Sequence, residues 1–370
     1  MMTWVNVKKN AIKFNLRQLR KQIGNECLLM PVIKANAYGH GLIEMAKICD
    51  TDNNVDRLCV VNSDEALRLI ENKIKKPIQV LSYFSSNEQT IRKLAKNGII
   101  LPLYSLNYAH LLNRIAKKFR KKISVHIKID IGTSRIGVLP EQLISFCEIV
   151  VKLKNLNIEG IFAHFSSSEE SREVTKEQLH LFLTLISTLE EKKIYFQIKH
   201  ISCSAATILY KKTHLSGVRT GLSLYGLYPS PITKKKIILK PALSWHTKII
   251  QIKKVPTGAK IGYDQTFTTQ RPTKLAILPV GYWDGLDRSI SNKGCVLIKG
   301  TRCPILGRIC MNMTIVDATR VCDLSIKDLV TLIGKQKKEC ITIEEMAGWA
   351  NTINYEIIDR INPLIPRIYG

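Results

Sequence analysis

Lys34 closes an apolar run, Leu28–Ile33, and is followed by Ala, Asn, Ala and Tyr before the glycines at 39 and 41. If that run is a strand of a parallel, helix-covered sheet, the lysine stands at the strand's C-terminal end, where such folds build active sites. A primary amine in that place condenses with carbonyl compounds, so Lys34 is positioned as a Schiff-base lysine. His164 ends another apolar run, a position where a histidine taken alone serves structure more often than catalysis. The ten cysteines are scattered, with no C-x-x-C and no cysteine–histidine cluster at zinc spacing, so they read as free, mostly buried thiols and no metal is expected.

The elements that must hold these residues follow from periodicity. Apolar, β-rich runs recur at Leu28–Lys34, Leu58–Asn62, Ile78–Tyr83, Ile99–Tyr104, Ile123–Asp130, Ile158–His164, Phe196–Ser202 and Val218–Tyr225. Helix-period stretches fill most gaps, among them Asp64–Asn72, Glu88–Lys96, Leu106–Lys118, Glu141–Lys154 and Glu177–Glu191. Eight strands alternating with helices close naturally into an α/β (β/α)8 TIM barrel. The Pro- and Lys-rich stretch from Tyr228 to Lys236 breaks the alternation, and short strands with Gly turns follow it. The expected domains are therefore residues 1–235, a barrel, and 236–370, a mostly-β domain.

Composition sets limits on function. With 45% hydrophobic residues and no low-complexity tract, the chain buries a large core. No signal-peptide pattern opens it and no segment offers the ~20 apolar residues of a membrane span, so a cytoplasmic protein without a membrane partner is expected. The formal charge of +26 raises the question of nucleic acid. The basic residues are spread in short runs, Lys117–Lys122 and Lys234–Lys236, with Phe119 the one interleaved aromatic, and read as solvated helix faces; no nucleic-acid partner is expected.

The string PVIKANAYGHG, Pro31–Gly41, resembles the pyridoxal-phosphate-binding signature of the alanine racemase family. The likeness continues in order through VHIKIDIG (Val125–Gly132), AHF (Ala163–Phe165), VRTGLSLYG (Val218–Gly226), GYWDG (Gly281–Gly285), GRICM (Gly307–Met311) and INYE (Ile353–Glu356). It implies a racemase that interconverts L- and D-alanine with two bases, Lys34 and Tyr263, and supplies D-alanine for peptidoglycan. By the same resemblance the cofactor is pyridoxal phosphate, held covalently by Lys34, with its phosphate met by Tyr38, Ser204, Gly221, Leu222 and Tyr355. Arg219 would face the ring nitrogen, His164 would bridge Arg219 and the catalytic tyrosine, and Arg135 would hold the phenolic oxygen and the substrate carboxylate. Lys128 falls where many relatives carry a carbamylated lysine that orients that arginine. Met311 would offer its backbone N–H to the substrate carboxylate, and Tyr282 would line a narrow entrance. The family works as a homodimer in which the tyrosine reaches the partner's barrel.

Four positions depart from the family pattern: Gly262 and Asp264 beside Tyr263, Cys203 before the phosphate serine, and Asn312 where relatives commonly carry Asp. Alternative readings are a serine or broad-specificity racemase, a basic-amino-acid decarboxylase on the same barrel, which should lack the Tyr263 and Met311 motifs, and a non-enzymatic pyridoxal-phosphate-binding protein. The last would need no second domain.

Overall fold

In the computed structural model all 370 residues are described. They divide into two compact units, one of Ala11–Ala37 with Leu42–Lys240 and one of Met1–Asn10, Tyr38–Gly41 and Pro241–Gly370.

The first unit is a closed barrel. Its eight strands are Leu28–Leu29, Leu58–Asn62, Ile78–Tyr83, Leu101–Leu103, Ile123–Lys128, Leu156–Phe162, Ile198–His200 and Gly217–Val218. Neighbours along the chain pair in parallel. Where the ladders are short, backbone bonds complete the ring: Cys59 N–H to Pro31 O at 2.8 Å, Ile100 N–H to Ile78 O at 3.0 Å, and Met30 N–H to Val218 O at 2.9 Å between first and last strands. Apolar residues on both faces suit such strands, because the barrel interior and the helix layer each bury one side. The helices start where the sequence offers caps. Asn62 accepts from Glu65 N–H, Asn87 from Thr90 N–H, and Ser171 from Val174 N–H.

Several of the expected strands are shortened, two of them to a pair of residues. The run to Lys34 is regular strand only at Leu28–Leu29, although Met30 and Val32 N–H still bond Val218 O and Thr220 O, and the run from Val218 gives way to a 3-10 turn at Leu222–Tyr225.

The second unit is mostly β, and it claims more than the C-terminal segment. Thr3–Val7 pairs antiparallel with Leu243–Lys248 and parallel with Arg367–Tyr369, inside a sheet that also holds Leu329–Gln336, Cys295–Ile298, Thr301–Pro304 and Glu339–Ile341. A division at residue 236 therefore leaves out the N-terminal strand, whose Val5 and Val7 are fully buried; five residues of alternation were too few to stand out. A three-stranded sheet of Gln251–Val255, Thr273–Leu278 and Thr314–Asp317 supports a small hairpin, Lys260–Ile261 with Phe267–Thr268. Ile261 packs with Leu275, Ile277 and Leu306 to fix that hairpin to its sheet.

All ten cysteines are free thiols, with Cys27, Cys49, Cys59, Cys147 and Cys303 buried. No helix is long and apolar enough to cross a membrane.

Candidate active site

Lys34 opens a left-handed turn. Ala35, Asn36, Ala37 and Tyr38 have φ of 52°, 52°, 54° and 51°, and Ala37 N–H reaches back to Ile33 O at 3.0 Å. For L-residues this handedness costs roughly 1–2 kcal/mol each, so the turn persists only because its surroundings over-determine it. Glu65 accepts from Ala35 N–H at 2.7 Å and from Val61 N–H at 2.8 Å, and Asn36 accepts from Leu42 N–H at 3.0 Å. At the far end of the turn, Tyr38–Gly41 belongs to the β unit. A Cβ at Gly39 would collide with the Ile358 carbonyl, and one at Gly41 with the Tyr369 hydroxyl, which itself donates to His40 O at 2.9 Å. Tyr38 and Tyr355 meet there with ring centroids 6.2 Å apart.

The barrel mouth collects cations. Lys128 ends its strand with its ammonium 5.0 Å from the centre of the Phe162 ring, and the Arg219 guanidinium lies 5.4 Å from the same centre. Burial, then the charges of Arg219, Arg135 and Lys34, bring the Lys128 amine down to about 7. Arg219 is buried, which lowers it to about 10, still protonated at neutral pH. Its Nη2 donates to Ala163 O at 2.6 Å and lies 3.4 Å from His164 Nδ1. Burial, with Arg219 the foremost of the nearby cations, holds His164 well below the usual imidazole range, so the ring is neutral and its Nδ1 serves as acceptor.

The loop after Lys128 is organised by a residue that sequence reasoning passed over. Asp130 Oδ1 accepts from the backbone N–H groups of Gly132, Thr133 and Ser134 at 2.9–3.1 Å, and Oδ2 accepts from Arg135 N–H at 2.6 Å. Burial opposes ionisation, yet these bonds hold the carboxyl below its ordinary value. Its negative charge is thus committed to the loop that carries the exposed Arg135. An aspartate just before a Gly-containing loop is a turn-anchoring signal, and that was the clue available.

Uncharged donors gather beside the mouth. Ser204 Oγ accepts from Gly221 N–H at 3.0 Å and from the Ser223 hydroxyl at 3.1 Å, drawing the start of one short helix against the 3-10 turn that begins at Leu222. Cys203 places its thiol 3.0 Å from the Ser168 hydroxyl.

In the β unit Tyr263 sits at the tip of the hairpin, 68% exposed. Gly262 before it has φ 75°, which a glycine adopts without strain, and Asp264 after it ion-pairs with Arg308. Both departures from the family stretch thus have a local physical role. Tyr282 and Met311 are brought together, because Gly281 leaves room for the backbone beyond: Tyr282 N–H bonds Cys310 O at 3.1 Å and Trp283 N–H bonds Met311 O at 3.0 Å. Asn312 is exposed beside them. Lys34, Lys128, Arg135, His164, Ser204, Arg219, Gly221 and Leu222 are therefore barrel residues, whereas Tyr38, Tyr263, Tyr282, Met311 and Tyr355 are carried by the β unit.

Residues 7–229 match the model for the alanine racemase N-terminal domain, and residues 242–369 match that for the C-terminal domain. The chain belongs to the alanine racemase family. An alanine racemase of Methanococcus maripaludis is 42% identical over 99% of this chain and 98% of its own length. Among solved structures, alanine racemase of Clostridium difficile 630 superimposes with a TM-score of 0.93 at 35% identity, covering 100% of this chain and 96% of that one. The Bacillus anthracis alanine racemase with bound L-Ala-P gives 0.91 at 33% identity, covering 100% and 95%. These relatives share the TIM barrel with an appended β domain, the architecture described above.

Two groups of residues escaped the sequence reading. Asp130 is one; the other is a set of polar side chains inside the barrel, Gln79, His126 and His200, each with no exposed surface. Their signal was a polar residue in an otherwise apolar strand that is covered on both faces.

Proposed function

We propose that this chain is an alanine racemase that interconverts L- and D-alanine with pyridoxal phosphate, Lys34 and Tyr263 acting as opposed acid–base groups. The observation that carries the reading is the barrel mouth itself. Arg135 and Arg219 bring positive charge to it beside the amines of Lys34 and Lys128, the carboxylate of Asp130 is spent on backbone N–H groups, and Ser204, Gly221 and Leu222 bring hydroxyl and amide groups together at helical starts. That donor set fits a phosphorylated, anionic cofactor and a substrate carboxylate.

When bound, the cofactor delocalises the electron pair left at the alanine Cα. The chain's own residues do the rest. Lys34 holds the cofactor covalently and exchanges a proton with one face of Cα through Nζ; Tyr263 Oη serves the opposite face. Two groups are required because a single fixed base returns the proton to the side from which it came. Arg219 keeps its proton and presents a donor toward the ring nitrogen, which disfavours full protonation there and with it transamination. Neutral His164 links Arg219 to the tyrosine. Arg135 orients the substrate carboxylate, with the Met311 N–H, and Tyr38, Ser204, Gly221, Leu222 and Tyr355 hold the phosphate. Tyr282 narrows the entrance, so side chains beyond methyl or hydroxymethyl are excluded.

A second copy of the chain supplies the opposing tyrosine. Tyr263, Trp283 and Met311 are 68%, 58% and 55% exposed, an apolar surface that association covers. Lys128 is the site of carbamylation, where a neutral amine adds to carbon dioxide and releases one proton, placing a negative charge among the cations.

Assay of the purified, pyridoxal-phosphate-loaded protein with L-alanine, L-serine and L-lysine, with chiral product detection, tests the reading. Rapid formation of D-alanine is expected. Lysine turnover as fast as alanine turnover, or none with alanine, overturns it.

A further inference from the structure

Behind Arg219 a line of polar side chains runs through the barrel that the proposed reaction leaves unused. Arg219 Nη1 lies 2.5 Å from His200 Nδ1, His200 Nε2 lies 2.9 Å from His126 Nδ1, and His126 Nε2 lies 2.9 Å from Glu159 Oε2. The other Glu159 oxygen accepts from Arg57 Nη2 at 3.0 Å. Both imidazoles are fully buried, while the Glu159 side chain keeps 20% of its surface exposed.

The donor inventory sets the direction along the line from Arg219 to Glu159. A guanidinium has donors and no acceptor, so His200 Nδ1 must present a lone pair. Burial and the charge of Arg219 hold His200 well below the usual range, so the ring is neutral and carries its one proton on Nε2. That proton is donated to His126 Nδ1. Burial likewise lowers His126, which then keeps its own proton on Nε2 and donates it to Glu159. The hydrogen bond from His126, assisted by Arg57, holds the Glu159 carboxyl down to about 2, so it is an anion whenever the protein is folded near neutral pH. Gln79 Nε2 lies 3.2 Å from His126 Nδ1, the lone-pair side, and 3.4 Å from His200 Nε2, while Arg57 Nη1 lies 3.4 Å from Gln79 Oε1 and 3.3 Å from His126 Nε2; these longer contacts flank the 2.9 Å bonds that make up the line.

We propose that Glu159 is a positioning residue for the racemase: it sets the tautomers of His126 and His200, so that Arg219 meets an acceptor at its back and turns its remaining N–H groups to the barrel mouth. The catalytic part of this rests on the reading that Arg219 faces the cofactor ring; the tautomer assignment does not.

A carboxylate is required because two donors face it. Glutamine has one acceptor oxygen. In Glu159→Gln, an oxygen kept by Arg57 leaves the amide NH2 against His126 Nε2, which drives the His126 proton to Nδ1 and the His200 proton to Nδ1 in turn. His200 would then point a donor at Arg219, and the guanidinium must swing away. Replacing Arg57 as well, in Glu159→Gln/Arg57→Met, frees the amide oxygen for His126 and restores the original direction.

The test is 15N NMR of the histidine side chains in protein labelled at histidine, recorded without substrate, together with steady-state kinetics. In the native protein both His126 and His200 are expected to be protonated at Nε2; Nδ1 protonation of either overturns the proposal with no variant needed. Glu159→Gln should move both protons to Nδ1 and lower kcat by roughly ten- to a hundredfold, the scale seen when a residue behind a metal-bound histidine is removed. The double variant should return both tautomers and most of kcat, which a loss of packing alone would not do. Unchanged tautomers in Glu159→Gln, or switched tautomers with native kcat, defeat the proposal. A native protein that shows these tautomers and yet does not racemise alanine would instead defeat the functional reading.

Discussion

Lys128 shows how far one side chain departs from its free behaviour when its neighbours are arranged around it. An amine brought to about 7 by burial and by Arg219, Arg135 and Lys34 is protonated and inert below that pH and a free nucleophile above it. Carbamylation should therefore climb between pH 6 and pH 8 in bicarbonate, read as one added carbon dioxide on the Lys128 peptide or by native mass spectrometry. No bicarbonate-dependent adduct at pH 8 would end the idea. The sign for folding is the same. A lysine whose folded value is depressed from 10.5 to about 7 costs stability in full below 7, and that cost fades as pH rises toward 10.5, because the unfolded chain holds the proton longer. Asp130 acts by a different route, through four backbone donors that it alone gathers. Asp130→Ala strips them of their acceptor, so the Arg135 loop loosens. We expect KM for alanine to rise roughly tenfold and stability to fall by about 1–3 kcal/mol, measured by steady-state kinetics and urea titration. Native KM with Asp130→Ala would show that Arg135 does not need this anchor.

Among the elements, the left-handed turn after Lys34 invites the sharpest test. Ala35 is exposed, so its side chain contributes little packing, and its φ of 52° is costly for any residue with a Cβ. Ala35→Gly relieves that cost while adding unfolded-state freedom, for a net stabilisation of about 0.5–1 kcal/mol. Ala35→Val adds a β-branched side chain at positive φ and should destabilise by about 2 kcal/mol or more. Denaturation midpoints that move in the opposite order would mean that the turn is not held as described. The barrel strands were legible in the sequence because alternation of apolar runs with helix-period stretches is local. Thr3–Val7 was not, since its partners Leu243–Lys248 and Arg367–Tyr369 lie far away in sequence and only their pairing makes it a strand.

For the whole molecule the proposal that two copies share each site makes a quantitative claim. Lys34→Ala and Tyr263→Phe proteins should each retain less than about a thousandth of native activity, as expected when an essential acid–base group is lost. A mixed dimer holds one site with both bases and one with neither, so statistical exchange of subunits should restore roughly a quarter of native activity under two-fold symmetry. No recovery after subunit exchange has been verified would place both groups in one chain's site.

The sequence by itself determined the barrel class and the second β domain, because strand period and helix period are properties of neighbouring residues. It did not determine the left-handed sense of the turn beyond Lys34, which depends on Glu65 and on glycines pressed against Ile358 and Tyr369. Nor did it reveal that Glu159, His126 and His200 form one line ending on Arg219. Those side chains come from three different strands, and only the parallel pairing of those neighbouring strands brings them within hydrogen-bond reach, where burial makes each ring neutral and the donor of one the acceptor's partner in the next.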